Sequence, residues 1–166
     1  MNLIVAVDKN WGIGKDNQLL CYLPTDLKYF KSVTANKTVV YGRKTLSTFP
    51  GGKPLRNRTN IVFSTTLESK NNLTVVKSIA DMKNTIGSMD TEDVFVIGGD
   101  SIYKFLLPYC EYAYVTKIQK SFCPDTFFPN LDLKDSWELH SIVKSICDEG
   151  ISATMVVYKN NSVLML

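Results

Sequence analysis

Histidine is nearly missing from this sequence: His140 is the single one among 166 residues, in the alternating stretch WELHSIVKS that reads as a strand. Without a second histidine or a Cys/His cluster, zinc hydrolysis and histidine-based triads are disfavoured, and His140 reads as a structural or solvated side chain. Cys21, Cys110, Cys123 and Cys147 are scattered, with no CxxC pair. They support neither a metal site nor a redox motif and read as reduced thiols of a cytoplasmic protein. No apolar run approaches membrane-spanning length. The N-terminal MNLIVAVDKN has no basic region ahead of its short apolar run, so it reads as a first strand and not as a signal peptide. There is no Lys/Arg block, and a net charge of +3 is too mild for a nucleic-acid partner but compatible with a small anionic ligand. Whatever chemistry occurs must use a carboxylate, a cofactor, or both.

What is present alternates between strand and helix along one domain's worth of chain, 1–166. NLIVAVD reads as a strand, KNWGIGKDNQLLCY as a long loop and LPTDLKYFKSVT as a helix. TVVYG, NIVFST, LTVV and DVFVIGG read as further strands; RKTLSTF, SIADMKNTIG (with Gly87 as its stop) and DSIYKFLL (ended by Pro108) read as helices. EYAYVTKIQ, WELHSIVKS and SATMVVYK then follow as three strands with no helix between them. Near-continuous apolar strands alternating with helices predict an α/β fold with a mostly parallel sheet covered on both faces, and an antiparallel edge at the C-terminal end. Ligands of such sheets bind outside the carboxyl ends of the strands.

Asp26 is out of place by pattern. Pro24 opens its helix, and Leu23, Leu27, Phe30 and Val33 form one apolar arc opposite Lys28, Lys31 and Ser32. Asp26 falls inside that arc, where a carboxylate loses water at a cost unless a partner is supplied. An acid in a first helical turn is also favoured by the helix dipole with its head in water, so the pattern alone leaves both readings open.

Three strand ends look suited to anions. VFVIGGDSIY places Gly98 and Gly99 between a strand and a helix, where backbone amides can approach a phosphate, although two glycines also make an ordinary tight turn. In VVYGRKTLSTF a strand runs into Gly42, then Arg43, Lys44 and Thr45 at a helix start, where cations oppose the dipole unless an anion joins them. IVFST brings Ser64 and Thr65 to the same edge. A dinucleotide fits this set, and the basic residues in place of a ribose-binding acid favour its phosphorylated form, NADP. Arg58, in the loop FPGGKPLRNRT, could clamp a carboxylate through two parallel hydrogen bonds or simply be solvated; the GGK there lacks the rest of a phosphate loop.

In order along the chain, LIVAVDKNWGIGKDN, LPTDLKYFK, VVYGRKT, IVFS, VFVIGG with Tyr103, YVTKI and PDTFFP resemble the dihydrofolate reductase family nearly end to end. The resemblance implies an eight-stranded, mostly parallel sheet with flanking helices in a single-domain, monomeric, cytoplasmic enzyme. It further implies NADPH-dependent reduction of 7,8-dihydrofolate to tetrahydrofolate, and binding of antifolates. It makes Asp26 the acid that grips the pterin, with Thr116 behind it. Leu27 and Phe30 should pack on the ring system, Phe49 and Leu55 should line the benzoyl pocket, and Arg58 should hold the glutamate α-carboxylate. Ile4 and Ile97 should offer carbonyls to the pterin. Ala6, Ile13, Gly14 and Tyr103 should meet the nicotinamide side. Gly98, Gly99 and Thr45 should meet the pyrophosphate, and Gly42, Arg43, Lys44, Ser64, Thr65 and Lys77 the adenosine end. The loop from Lys9 to Cys21 resembles the family's mobile lid.

Two departures stand out. Leu20-Cys21 replaces the usual Pro-Trp before the Asp-bearing helix, which alters how water is held near Asp26. Asp100 replaces a small residue after the two glycines and is expected to cap the following helix. The rival readings are a pyrimidine reductase of riboflavin synthesis with the same fold, or a non-catalytic NADP-binding module. Neither has a use for an acid on the apolar face of a helix.

Overall fold

The computed structural model describes residues 1–166. Eight strands form one sheet: β1 (Asn2–Val7), β3 (Thr38–Gly42), β4 (Thr59–Phe63), β5 (Thr74–Val76), β6 (Val94–Gly98), β7 (Tyr112–Ile118), β9 (Trp137–Asp148) and β10 (Ile151–Asn160). Their spatial order is β5-β4-β3-β6-β1-β7-β10-β9. The six strands from β5 to β7 are parallel, and β10 and β9 run antiparallel at one edge. The expected architecture is therefore the observed one. A separate ribbon pairs β2 (Gly12–Gly14), inside a segment that reads as loop in the sequence, with β8 (Thr126–Phe127).

Alternate side chains feed two cores. Val40 and Ile61 point into a large cluster with Leu3, Val5, Tyr103 and Leu106. Their neighbours Val39, Tyr41 and Val62 point into a smaller one with Leu46 and Leu73. Strands buried on both faces need the continuous apolar runs seen in β1, β3 and β6. β9 obeys the opposite rule: only Trp137 is buried along it, and Leu139, Ile142 and His140 are exposed.

Four helices connect the strands: α1 (Pro24–Thr34), α2 (Arg43–Thr48), α3 (Ile79–Ile86) and α4 (Asp100–Leu106). α3 starts on Ser78, whose hydroxyl accepts from the Asp81 amide, and it stops at Gly87 with right-handed dihedrals, not a left-handed cap. α4 corrects one expectation. Asp100 is not its cap but its first residue, and its carboxylate lies 2.7 Å from the Lys104 ammonium one turn on. That pairing supplies the acid with a countercharge.

Candidate active site

α1 begins at Pro24 as its proline predicts, and it turns Asp26 toward the carboxyl ends of β1 and β7. The buried Thr116 hydroxyl on β7 donates to Asp26 Oδ1 at 2.6 Å. Asp26 Oδ2 has no donor within the protein. Burial pushes the Asp26 carboxyl above the ordinary aspartate range; the Thr116 bond opposes that shift, and the nearby Asp148 carboxylate adds to it. A cavity of about 40 Å³ adjoins Asp26. Ala6, Ile13 and Leu27 line it as expected, while Leu19, Leu20, Cys21, Leu23 and Ile118 line it without having been predicted as site residues. Leu23 shows its place through the helix arc and the family resemblance sets Leu20-Cys21 near Asp26, but nothing local to Leu19 or Ile118 reveals that they converge on an acid.

Further along α1, Phe30 meets Arg58. The Arg58 guanidinium lies 5.6 Å above the Phe30 ring, within cation–π range. Its Nε donates to Thr34 Oγ1 at 2.8 Å and its Nη1 to the Arg56 carbonyl at 3.1 Å. Thr34 is buried and its hydroxyl donates in turn to the Phe30 carbonyl, so the last turn of α1 aims the arginine. Partial burial lowers the guanidinium's pKa, though arginine keeps its charge throughout the usual pH range. Phe49 meets Tyr41 edge-on at 5.1 Å. Leu55 is bracketed by Asn60, which accepts from its amide and donates to its carbonyl, both at 2.9 Å. Thr34 and Asn60 thus hold Arg58 and Leu55, and no local pattern singles either of them out.

On the other side of the sheet's carboxyl edge, Gly98 and Gly99 join β6 to α4 through a cis peptide. Gly98 has φ +136°, and a Cβ on Gly98 or Gly99 would sit 3.3 or 3.2 Å from Thr45 Oγ1. Only glycine leaves this floor bare while Thr45 leans over it. Tyr103 is buried and donates to the Ile4 carbonyl at 2.7 Å, so this predicted ligand acceptor already has one partner. Ile97 is half-buried and packs on the smaller core. Gly14 lies in β2 and its carbonyl accepts from the Asp125 amide.

At the far end, Arg43, Ser64, Thr65 and Lys77 line a cavity of about 310 Å³ with Phe63 and Thr66. Arg43, Ser64 and Thr65, read from two strand ends, and Lys77, placed at the adenosine end by the family resemblance, therefore converge on one volume. Thr66 joins them unpredicted, and Lys44 is exposed one residue beyond, outside the lining. Two cations and three hydroxyls suit a phosphate, and the bare Gly98-Gly99 floor suits a second; the residues fit a phosphorylated dinucleotide.

The loop after β1 divides in two. Asp8, 2% exposed, accepts from the amides of Asn10, Gly12 and Phe122 at 2.8, 2.9 and 3.1 Å. Trp11 is buried against Phe128. The first half is therefore braced, and the stretch from Lys15 to Leu19 is exposed.

Residues 1–160 match the dihydrofolate reductase family. A dihydrofolate reductase of Bacillus subtilis is 40% identical over 150 residues, covering 90% of this chain and 86% of that protein. One of Haemophilus influenzae is 39% identical over 138 residues, 83% of each. A dihydrofolate reductase from Enterococcus faecalis, solved with NADP(H) and RAB-propyl, superposes with a TM-score of 0.81 at 34% identity, covering 96% of this chain and 95% of that one. The chain thus belongs to the dihydrofolate reductase family of NADPH-dependent oxidoreductases, and the rival riboflavin-pathway and non-catalytic readings are not favoured.

Proposed function

We propose that this chain, acting as one domain over residues 1–166, reduces 7,8-dihydrofolate to 5,6,7,8-tetrahydrofolate, with Asp26 as its catalytic acid group. The observation that carries the assignment is the state of Asp26: one oxygen fixed by Thr116, the other without a protein donor, the whole group raised in pKa by burial. A planar N–H/NH2 edge presents two donors at carboxylate spacing, so the acid both orients such a ring and becomes satisfied by it. Phe30 and Leu27 then cover one face of the ring, and Phe49 and Leu55 flank the benzoyl group. Arg58, pre-aimed by Thr34, binds the glutamate α-carboxylate through its remaining N–H groups.

Bound NADPH supplies the hydride, to pterin C6. Arg43, Lys77 and the hydroxyls of Ser64, Thr65 and Thr66 hold the adenosine end and its 2′-phosphate; Lys44 adds long-range charge. The Gly98-Gly99 floor with Thr45 receives the pyrophosphate, and Ala6, Ile13, Gly14 and Tyr103 border the nicotinamide. Asp26 favours protonation at N5, with water delivering the proton. The 40 Å³ beside Asp26 holds little more than water, well below the roughly 300–1,000 Å³ of ligand clefts, which supports the stretch with exposed Leu19 and half-buried Leu20 as a lid that moves to admit substrate. Antifolates presenting the same donor edge share the site. The working form we propose is a monomer in the cytoplasm, the compartment in which four free thiols persist. The test is direct: dihydrofolate added to the protein and NADPH should abolish the reduced-nicotinamide absorbance, and persistence of that absorbance refutes the activity.

A further inference from the structure

The start of α1 has no cap of its own. Leu23 occupies the N-cap position without a side-chain acceptor, and Pro24 has no N–H. The Thr25 amide donates to Asp148 Oδ2 at 2.8 Å, and the Thr25 hydroxyl donates to Asp148 Oδ1 at 2.7 Å. A carboxylate 123 residues away thus serves the helix as its N-cap and brings an anion to the positive helix end. Asp148 is held firmly for this. It ends β9 and pairs with Ile151 across a two-residue turn in which Glu149 and Gly150 have φ of 50° and 79°, the signs of a tight hairpin. β10 of that hairpin pairs with β7, where Met155 lies beside Thr116. Asp26 is consequently gripped twice from the β7-β10-β9 side of the sheet, at its carboxyl by Thr116 and at the start of its helix by Asp148.

We infer that Asp148 is a positioning residue for Asp26, capping the helix that carries it and setting the charge it faces; the inference rests on the catalytic reading of Asp26 above. The ionisable groups that interact with Asp26 come from every side: Cys21 in the preceding loop, Tyr29 on α1, Tyr103 on α4 and Asp148 on β9. Burial raises the thiol and both phenols, so these three are neutral at physiological pH. Asp148 is left as the charge that Asp26 meets. A like charge disfavours ionisation of Asp26, in the same direction as burial and against the Thr116 bond. The cap that orients the acid also helps it hold a proton.

Three variants of the full chain separate geometry from charge. Asp148→Asn keeps size and an acceptor but removes the charge; Asp148→Ala removes both; Asp26→Asn fixes the baseline. The Asp26 midpoint is read by carbon-13 carboxyl titration in the ligand-free protein, and in parallel the pH profile of single-turnover hydride transfer is recorded. Asp148→Asn should lower the Asp26 midpoint and move the rate profile toward lower pH. Asp148→Ala should in addition lower the melting temperature by about 2–4 °C, the loss expected of a cap, with Asp148→Asn recovering most of it. An Asp26 midpoint unchanged in Asp148→Asn overturns the inference, leaving Asp148 a plain helix cap. A midpoint that moves while the rate profile stays fixed sustains the link between the two carboxylates and overturns the catalytic reading of Asp26 instead.

Discussion

Asp8 and Asp26 lie on neighbouring segments of the same sheet edge, and they are treated in opposite ways. Asp8 is buried and receives three backbone amides, two from its own loop and one from Phe122. Asp26 is half-buried, receives one hydroxyl, and faces a pocket with its other oxygen. A buried carboxylate with its acceptors filled is scaffold; one left short of donors at the wall of a cleft is kept for a ligand. The difference lies in partners, not in residue type or in position along the chain.

The largest effect that would sharpen this contrast is on turnover. Asp26→Asn should lower kcat/KM at neutral pH by about 100-fold or more, the usual range for loss of an acid–base group, and far less at low pH where substrate protonated in solution reacts. An equal loss at every pH would remove Asp26 from the proton step. The same variant should behave unlike Asp8 in stability. Because burial raises the folded-state pKa of Asp26, the folded protein binds this proton more tightly than the unfolded chain. Stability from this group is thus present below the ordinary aspartate pKa and lost as pH rises through the raised one. Asp26→Asn should therefore be more stable than the parent at neutral pH, with the advantage vanishing in acid, as followed by urea unfolding.

Asp8→Ala should do the reverse. It strands the Gly12 amide in the interior and frees two more, at a cost of about 3 kcal/mol in urea unfolding, with the affinity for ligands little changed. A neutral Asp8→Ala would mean the loop is braced chiefly by Trp11.

These two acids also mark how far the sequence could be read. The Asp26 signal was local: a charge inside an apolar arc of period 3.6, after a proline. The strand ends were equally legible, because Arg43, Ser64 and the two glycines each follow a buried run, and parallel pairing carries them to one edge; Lys77 came only through the family resemblance. Asp8 gave no such signal, since its donors come from a loop and from Phe122, 114 residues distant. Asp148, Thr34 and Asn60 were hidden for the same reason: their roles exist only once distant segments pack. Asp100 was misjudged because a local cap was assumed where a lysine one turn away supplies the partner.

Smaller effects concern the two ends of the cleft. Arg58→Leu should raise KM for dihydrofolate about tenfold, from loss of a charge-assisted contact of roughly 1.5–3 kcal/mol, with turnover less affected. A pterin lacking the glutamate tail should be indifferent to the change, and Arg58→Lys should rescue only part of it. Equal damage with the tailless substrate would show Arg58 supporting its loop. Arg43→Ala should weaken NADPH binding several-fold more than NADH binding in fluorescence titrations, a modest effect because the side chain is exposed and screened. Equal loss for both cofactors would take Arg43 away from the 2′-phosphate.

The contrast between the two carboxylates is tested most directly by calorimetric titration with a 2,4-diaminopyrimidine, whose N1-protonated form presents an N–H/NH2 edge that needs a carboxylate with free acceptors. Two charge-assisted hydrogen bonds of roughly 1.5–3 kcal/mol each make the expected loss in Asp26→Asn about 100-fold or more, with Asp8→Ala binding close to the parent. Binding by Asp26→Asn as tight as the parent's would contradict the claim that the fold keeps this acid for a ligand.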